Sequence, residues 1–285
     1  MERYATPRAF REALEQRLRT ASEDAGVLID RLRRRVVFER LLARLEHAEP
    51  GLWIVKGAMA LEVRDPDRSR RTKDLDLAVR ERAADIEALI SAALSADPFA
   101  DHFTFDVPPP TPLAIDEAGD PAWRFRVQAA LDERRFESVG LDVVERSQEI
   151  SRTVRMAFPS LVAFAGLPAV EVEVVDPRQH FAEKIHAYTR TYGDRPNTRV
   201  KDLPDMVLLI EDGLAPDAEL YGVVAHVFGT RSLQSVPESF PDPPPGWEER
   251  YASIAEGMDI RAGDLGSAVE LVRGFWAMTV EAAKE

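Results

Sequence analysis

Two aspartates one residue apart, Asp74 and Asp76 in the run Thr72-Lys73-Asp74-Leu75-Asp76-Leu77-Ala78-Val79, carry the strongest chemical signal in the chain. Alternate side chains of a β-strand share a face, so both carboxylates point one way while Leu75 and Leu77 enter a core. Paired carboxylates repel unless a divalent cation lies between them. An oxygen-only site of this kind suits Mg2+, which keeps several waters and is usually shared with substrate phosphates. The chemistry to expect is metal-assisted phosphoryl or nucleotidyl transfer. The same spacing also suits a solvent-facing strand at a sheet edge, so the surrounding residues must decide.

Several elements could position partners for this pair. An apolar lead-in, Leu52 to Val55, reaches Lys56 and Gly57, and a short helix follows to Val63. Trp123–Leu131 and Phe136–Val144 alternate as two strands of an antiparallel hairpin. The second of these carries Asp142 between Leu141 and Val143, a third carboxylate if that strand packs beside the first and a surface residue if it does not. A helix from Gln179 to about Tyr192 carries Glu183 and Lys184; an exposed helical lysine is the ordinary alternative for Lys184. Asp202 and Asp205 suit the positive end of another helix, and capping alone would account for them. His180 and His186 read as ordinary polar helix residues.

Residues 7 to 47 repeat apolar positions at helical spacing and form two helices, with further helices at Ala83–Ser95, Asp217–Phe228 and Leu265–Ala283. Pro98–Pro121 is expected to be irregular because of the prolines at 108, 109, 110 and 112. A strand at Val170–Val175 completes a few strands followed by many helices, which implies an α+β fold. The expected division is a catalytic region at residues 1–175 and a helical lobe at 176–285.

The chain has 285 residues, no cysteine and a formal net charge of −13. It carries no disulfide or thiolate chemistry and no run of about 18 apolar residues. Its start does not read as a signal peptide, so the expected location is the cytoplasm, with no membrane partner. The net acidity disfavours nucleic acid, but local patches count for more than the average. Three patches stand out: Arg31, Arg33, Arg34, Arg35, Arg40 and Arg44; Arg64, Arg68, Arg70, Arg71 and Lys73; and Arg195, Arg199 and Lys201. The first could equally be a solvated helix face.

Taken in order, Lys56-Gly57, Arg70 with Thr72-x-Asp74-x-Asp76, the strand at Asp142, Ala182-Glu183-Lys184 and Arg199-x-Lys201-Asp202-x-x-Asp205 resemble the AbiEii/AbiGii toxin family, which includes the MenT toxins. That family lies in the DNA polymerase β-like nucleotidyltransferase superfamily. The likeness extends from the opening helices to Gly229-Thr230-Arg231 and Trp247. Where the family usually has Lys-Gly-Gly, this chain has Lys56-Gly57-Ala58, and alanine is small enough to keep the turn.

The resemblance implies a polymerase β-like sheet with flanking helices and a largely helical C-terminal half. It implies catalytic roles for Asp74, Asp76, Lys184 and Asp202. Lys56, Gly57, Arg70, Thr72 and Lys184 would bind nucleotide, and Asp74, Asp76 and Asp142 would bind metal. Asp142 could instead deprotonate the attacking hydroxyl. The implied cofactor is Mg2+, with Mn2+ as the alternative ion, and NTP is the donor. The implied partners are the tRNA acceptor stem and a cognate AbiEi-like antitoxin, within a toxin–antitoxin or phage-defence system. Two other functions stay open: a small-molecule nucleotidyltransferase of the antibiotic-modifying type, and an idle nucleotide-binding protein. Basic patches that converge around the site would favour RNA; dispersed ones would favour a small acceptor.

Overall fold

The computed structural model of the chain describes residues 4–80, 85–113, 121–145, 149–191, 193, 196–231 and 234–285. It opens with helices α1 (Pro7–Ala25) and α2 (Ile29–Ala48). The Thr6 hydroxyl accepts from the Ala9 amide at 3.2 Å, and Pro7, whose missing N–H costs nothing in a first turn, starts α1. Strand β1 (Trp53–Lys56) turns directly into α3 (Gly57–Arg64), and β2 (Asp74–Val79) carries the aspartate pair. Next come α4 (Ile86–Ser95), β3 (Phe103–Asp106), β4 (Thr111–Pro112), β5 (Ala122–Leu131), β6 (Arg134–Glu145), β7 (Thr153–Ala157) and β8 (Glu171–Val175). Helices α5 (Pro177–Thr189), α6 (Asp202–Glu211), α7 (Ala218–Arg231), α8 (Glu248–Ala255) and α9 (Leu265–Ala282) complete the chain.

The strands form one mixed sheet in the order β3-β5-β6-β2-β1-β8-β7, with β4 also beside β5. Strand β2 sits in the middle, antiparallel to β1 and parallel to β6. One buried cluster joins the inward face of the sheet to α1, α2 and α4 through Phe10, Val36, Leu41, Leu75, Leu77, Phe125 and Leu141. A second runs through α5 to α9, from Phe181 to Trp276, and takes in Leu61 of α3. The chain is therefore an α+β protein. Among the described residues no helix is long and apolar enough to cross a membrane.

Three sequence expectations are corrected. The region after Pro98 is not wholly irregular, because β3 pairs with β5 as an edge strand and β4 adds a short bridge. Arg44 of α2 anchors the approach to β3 by donating to the carbonyls of Ala96 at 2.9 Å and Phe103 at 3.1 Å, and the prolines fall only beyond it. Strand β7, open on much of its length at the opposite edge, and the short helix α8 carry no clear periodic pattern in the sequence. The helix at 83 begins at Ile86, capped by Asp85, whose carboxylate accepts from Ala88 at 2.9 Å; residues 81–84 lie outside the described residues. Helix α5 stops at Thr189, and residues 192 and 195 are likewise outside.

The arginines of α2 are neither a solvated face nor an RNA-gripping patch. Arg31 and Arg35 reach Glu62, Arg33 reaches Glu15 and Asp30, and Arg34 lies 3.9 Å from Glu137. Arg40 and Arg44 are wholly buried and converge on Asp101, which accepts from Arg44 at 2.7 and 2.8 Å and lies 3.5 Å from Arg40. Helix α2 is packed against α1, α4 and the sheet in one cluster, so most of its charged positions are enclosed and must be paired from within. Removing one member of a buried ion cluster leaves the others uncompensated, which costs more than the cluster gains by forming. Asp101→Asn is expected to lower stability by about 3 kcal/mol in urea unfolding. A loss below about 1 kcal/mol would show that Arg40 and Arg44 do not depend on this carboxylate.

Candidate active site

Register across four adjacent strands builds the site. Lys56 on β1 faces Asp76 on β2, Asp76 faces Asp142 on β6, and Asp142 faces Arg124 on β5. Directly paired residues share a sheet face, so the strands present one row reading cation, acid, acid, cation. One step along, Asp74 faces Gly140, which faces Arg126.

Two glycines make room for the carboxylates. A Cβ on Gly57 would lie 2.1 Å from an Asp76 oxygen, and one on Gly140 would lie 2.3 Å from an Asp74 oxygen. Gly57 also holds a φ of +57°, which suits glycine at a strand-to-helix turn. Ala58 is buried in the following helix, so the turn survives where the family usually has a second glycine.

The row lies in a cleft of about 350 Å3. Every residue singled out from sequence for catalysis, nucleotide or metal lines it: Lys56, Gly57, Arg70, Thr72, Asp74, Asp76, Asp142, Lys184 and Asp202. Asp142 is a side chain of the sheet floor and is held by Arg124 through bonds of 2.7 and 2.5 Å. The Thr72 hydroxyl donates to the Asp74 carbonyl at 2.8 Å, bracing the entry to β2.

The far wall comes from α5 and α6. The Lys184 ammonium is buried, 3.0 Å from Asp202 and 2.6 Å from Asp205, both fully enclosed. Arg199 donates to Asp202 at 2.7 Å, and Arg70 forks onto Asp205 at 2.8 and 3.0 Å. Burial works against the Lys184 charge, but Asp202 and Asp205 outweigh it and hold its pKa above the ordinary lysine value. Burial would likewise raise Asp205, yet Arg70 and Lys184 hold it well below the usual carboxylate range. Asp205 is thus more than a helix cap, because it joins Arg70, from the loop before β2, to Lys184. Lys56 pairs with Glu183 at 3.1 Å, which fastens α5 to β1.

The histidines are not ordinary polar helix residues, because both are buried. His180 is buried in the cleft wall and held neutral by burial and by Lys184; His186 is buried and meets Arg231, another cleft residue, at 3.3 Å. A lone histidine at helical spacing gives no sequence signal of this burial. Arg124 was equally hidden, since nothing before the structure placed it opposite Asp142.

Asp74 and Asp76 differ from the paired charges around them, for no described residue donates to either carboxylate. Burial, then Asp142, pushes Asp76 up to about 6. Two carboxylates with uncompensated charge, open to the cleft, fit a divalent cation shared with phosphates. Among the described residues no three acidic or histidine side chains close into a ready-made cage, so substrate oxygens would have to complete the shell. The raised Asp76 pKa also has a stability consequence. The folded protein holds this proton more tightly than the unfolded chain, so stability falls as pH rises from the ordinary carboxylate range through about 6. In metal-free buffer Asp76→Asn is expected to be more stable than wild type by about 1–2 kcal/mol near neutral pH, discounted for partial exposure, and equal to it below about pH 4. Urea unfolding at the two pH values checks this, and a variant less stable than wild type at neutral pH contradicts it.

Comparison with known proteins agrees with this geometry. The family model described as "Nucleotidyl transferase AbiEii toxin, Type IV TA system" matches residues 40–273. Among solved structures, MenT4, a nucleotidyltransferase toxin from Mycobacterium tuberculosis H37Rv, shares the fold with a TM-score of 0.59 at 16% identity, over 93% of this chain and 89% of that one. A chain from H. pylori described as a candidate nucleotidyltransferase aligns at a TM-score of 0.43 and 13% identity, over 88% of this chain and 94% of that one. No curated protein sequence matches. From residue 40 to residue 273, across the sheet, the charged row and the helical wall that closes the cleft, the chain belongs to the AbiEii family of nucleotidyltransferase toxins of type IV toxin–antitoxin systems.

Proposed function

We propose that this toxin transfers nucleotides from a Mg2+-bound NTP to the 3′ end of tRNA and so blocks aminoacylation. The observation that carries the reading is the polarity of the cleft, with Asp74 and Asp76, which accept from no side chain among the described residues, on the floor and a wall of Lys56, Lys184, Arg70, Arg199 and Lys201 beside them. In this reading Asp74 and Asp76 hold Mg2+, or Mn2+, which when bound offsets charge on the α-phosphoryl oxygens.

The cationic wall takes the triphosphate. Lys184 is kept charged and aimed by Asp202 and Asp205, so its position is fixed before substrate arrives, as electrostatic stabilisation requires. Lys201 carries no ion pair among the described residues; its pKa is lowered by burial and then by Arg70 and Arg199, an electropositive setting that favours an incoming anion. The acceptor 3′-hydroxyl oxygen attacks the α-phosphorus, the new P–O bond forms as the bond to the β-phosphate breaks, and pyrophosphate leaves in line. Asp142 takes the hydroxyl proton. Each of its oxygens keeps a second lone pair beyond the bond to Arg124.

The division into a catalytic region at 1–175 and a helical lobe at 176–285, a cytoplasmic location and a separate AbiEi-like antitoxin belong to the same proposal. One observation favours a second reading. The arginines of α2 are tied up in internal pairs and cannot serve RNA, which removes the largest basic patch and leaves room for a small-molecule acceptor. The remaining cations at the site, together with membership of a toxin family, support tRNA.

Incubation with total tRNA, Mg2+ and each of four labelled NTPs separates these readings. Label is expected on tRNA from a preferred nucleotide, at least about a hundredfold above Asp74→Ala, and falling steeply as salt rises. Labelling of a small acceptor and no RNA would overturn the tRNA assignment.

A further inference from the structure

The sheet continues beyond Asp142 as a polar face with no helix over its described residues, and this face has no role in the chemistry above. On β5 the residues Arg124, Arg126 and Gln128 are exposed, alternating with buried Phe125 and Val127. On β6 the matching positions are Asp142, Gly140 and Ser138. Arg124 is occupied by Asp142. Arg126 is exposed and has neither an ion pair nor a hydrogen bond among the described residues, unlike the α2 arginines. Its register neighbour Gly140 has no side chain, so nothing on the strands stands between Arg126 and the Asp74 carboxylate. The two backbones stand two strand spacings apart, about 10 Å, and the Asp74 carboxylate lies over Gly140 between them.

In-line displacement fixes what can use this face. The attacking oxygen and the departing pyrophosphate lie on opposite sides of the α-phosphorus. The cations able to hold a triphosphate, Lys56, Lys184, Arg70 and Lys201, stand on the β1, α5 and α6 side of the aspartate pair. The acceptor must then enter from the β6 and β5 side, where Arg126 stands without an ion pair among the described residues. Asp106 of β3, opposite Gln128, places an acid at the outer edge of the face and so confines the attraction for phosphate to the inner rows.

We propose that the open face of β5 and β6 is the track for the single-stranded 3′ end of the acceptor RNA, with Arg126 gripping a backbone phosphate close to the attacking nucleotide. The assignment rests on the reading of the acceptor as tRNA. Arg126 acts on the acceptor alone and leaves nucleotide binding untouched. A backbone phosphate is held there through charge, which lysine also supplies as a point charge.

The experiment measures tRNA labelling kinetics against salt for wild type, Arg126→Glu, Arg126→Lys and Arg250→Glu, together with Mg-NTP binding to each. Arg250, exposed on α8 and away from the cleft, controls for the same change in net charge. Arg126→Glu is expected to raise KM for tRNA about tenfold and to reduce the salt slope of kcat/KM by about 1, with kcat and Mg-NTP affinity unchanged. Arg126→Lys and Arg250→Glu should stay within about twofold of wild type. If Arg126→Glu behaves as Arg250→Glu does while wild type labels tRNA, the track is wrong and the tRNA reading stands. If wild type labels only small acceptors, both are overturned.

Discussion

The structure depends on holding two carboxylates beside each other at the centre of a sheet. Asp76 and Asp142 are register partners on adjacent strands, with Lys56 and Arg124 closing the row at either end. A slip of one residue in any of these pairings would turn a charge into the core, so the apolar alternation that fixes the register also fixes the site. Burial and like charge leave Asp76 poorly compensated in the protein alone. The fold accepts that instability at the place where a substrate and its cation can relieve it.

The charges of the chain divide into two kinds. Those of α2 are buried or half-buried and paired with Glu62, Asp101 and their neighbours, and they tie α2 to α3 and to the segment leading into β3. Those around the cleft form a linked set, in which Arg199, Asp202, Lys184, Asp205 and Arg70 alternate in sign. This chain of pairs connects α5 and α6 to the loop before β2, so these helices and the strand that carries Asp74 and Asp76 are positioned by the same contacts that orient Lys184. Net charge is therefore a poor guide to what the surface can bind. A protein at −13 can still present cations selectively at one cleft.

Much of this was legible from residue order. Period-two alternation located β2, β5 and β6, and the ordered motifs named nine residues that the fold gathers into one cleft. What stayed hidden was tertiary in origin. An arginine on a helix reads the same whether it faces water or Asp101, so the α2 patch could not be distinguished from a solvated face. Strand β3 is ordered by Arg44 and by β5, both distant in sequence, and β7 is an edge strand without a clear apolar alternation. Arg124 and Arg126 acquire meaning only once the register places one opposite Asp142 and the other opposite Gly140.

The claim that Asp74 and Asp76 form, with the cationic wall, a joint site for a divalent cation and a triphosphate is tested most directly by calorimetric titration of a non-hydrolysable NTP analogue. The titration is run into wild type and into Asp74→Asn, with Mg2+ and again with EDTA. Saturable binding to wild type with Mg2+, lost in EDTA and in the variant, is the predicted result. Equal affinity in all four cases would mean that the nucleotide is held without the aspartate pair, and the role given to the central row would be wrong.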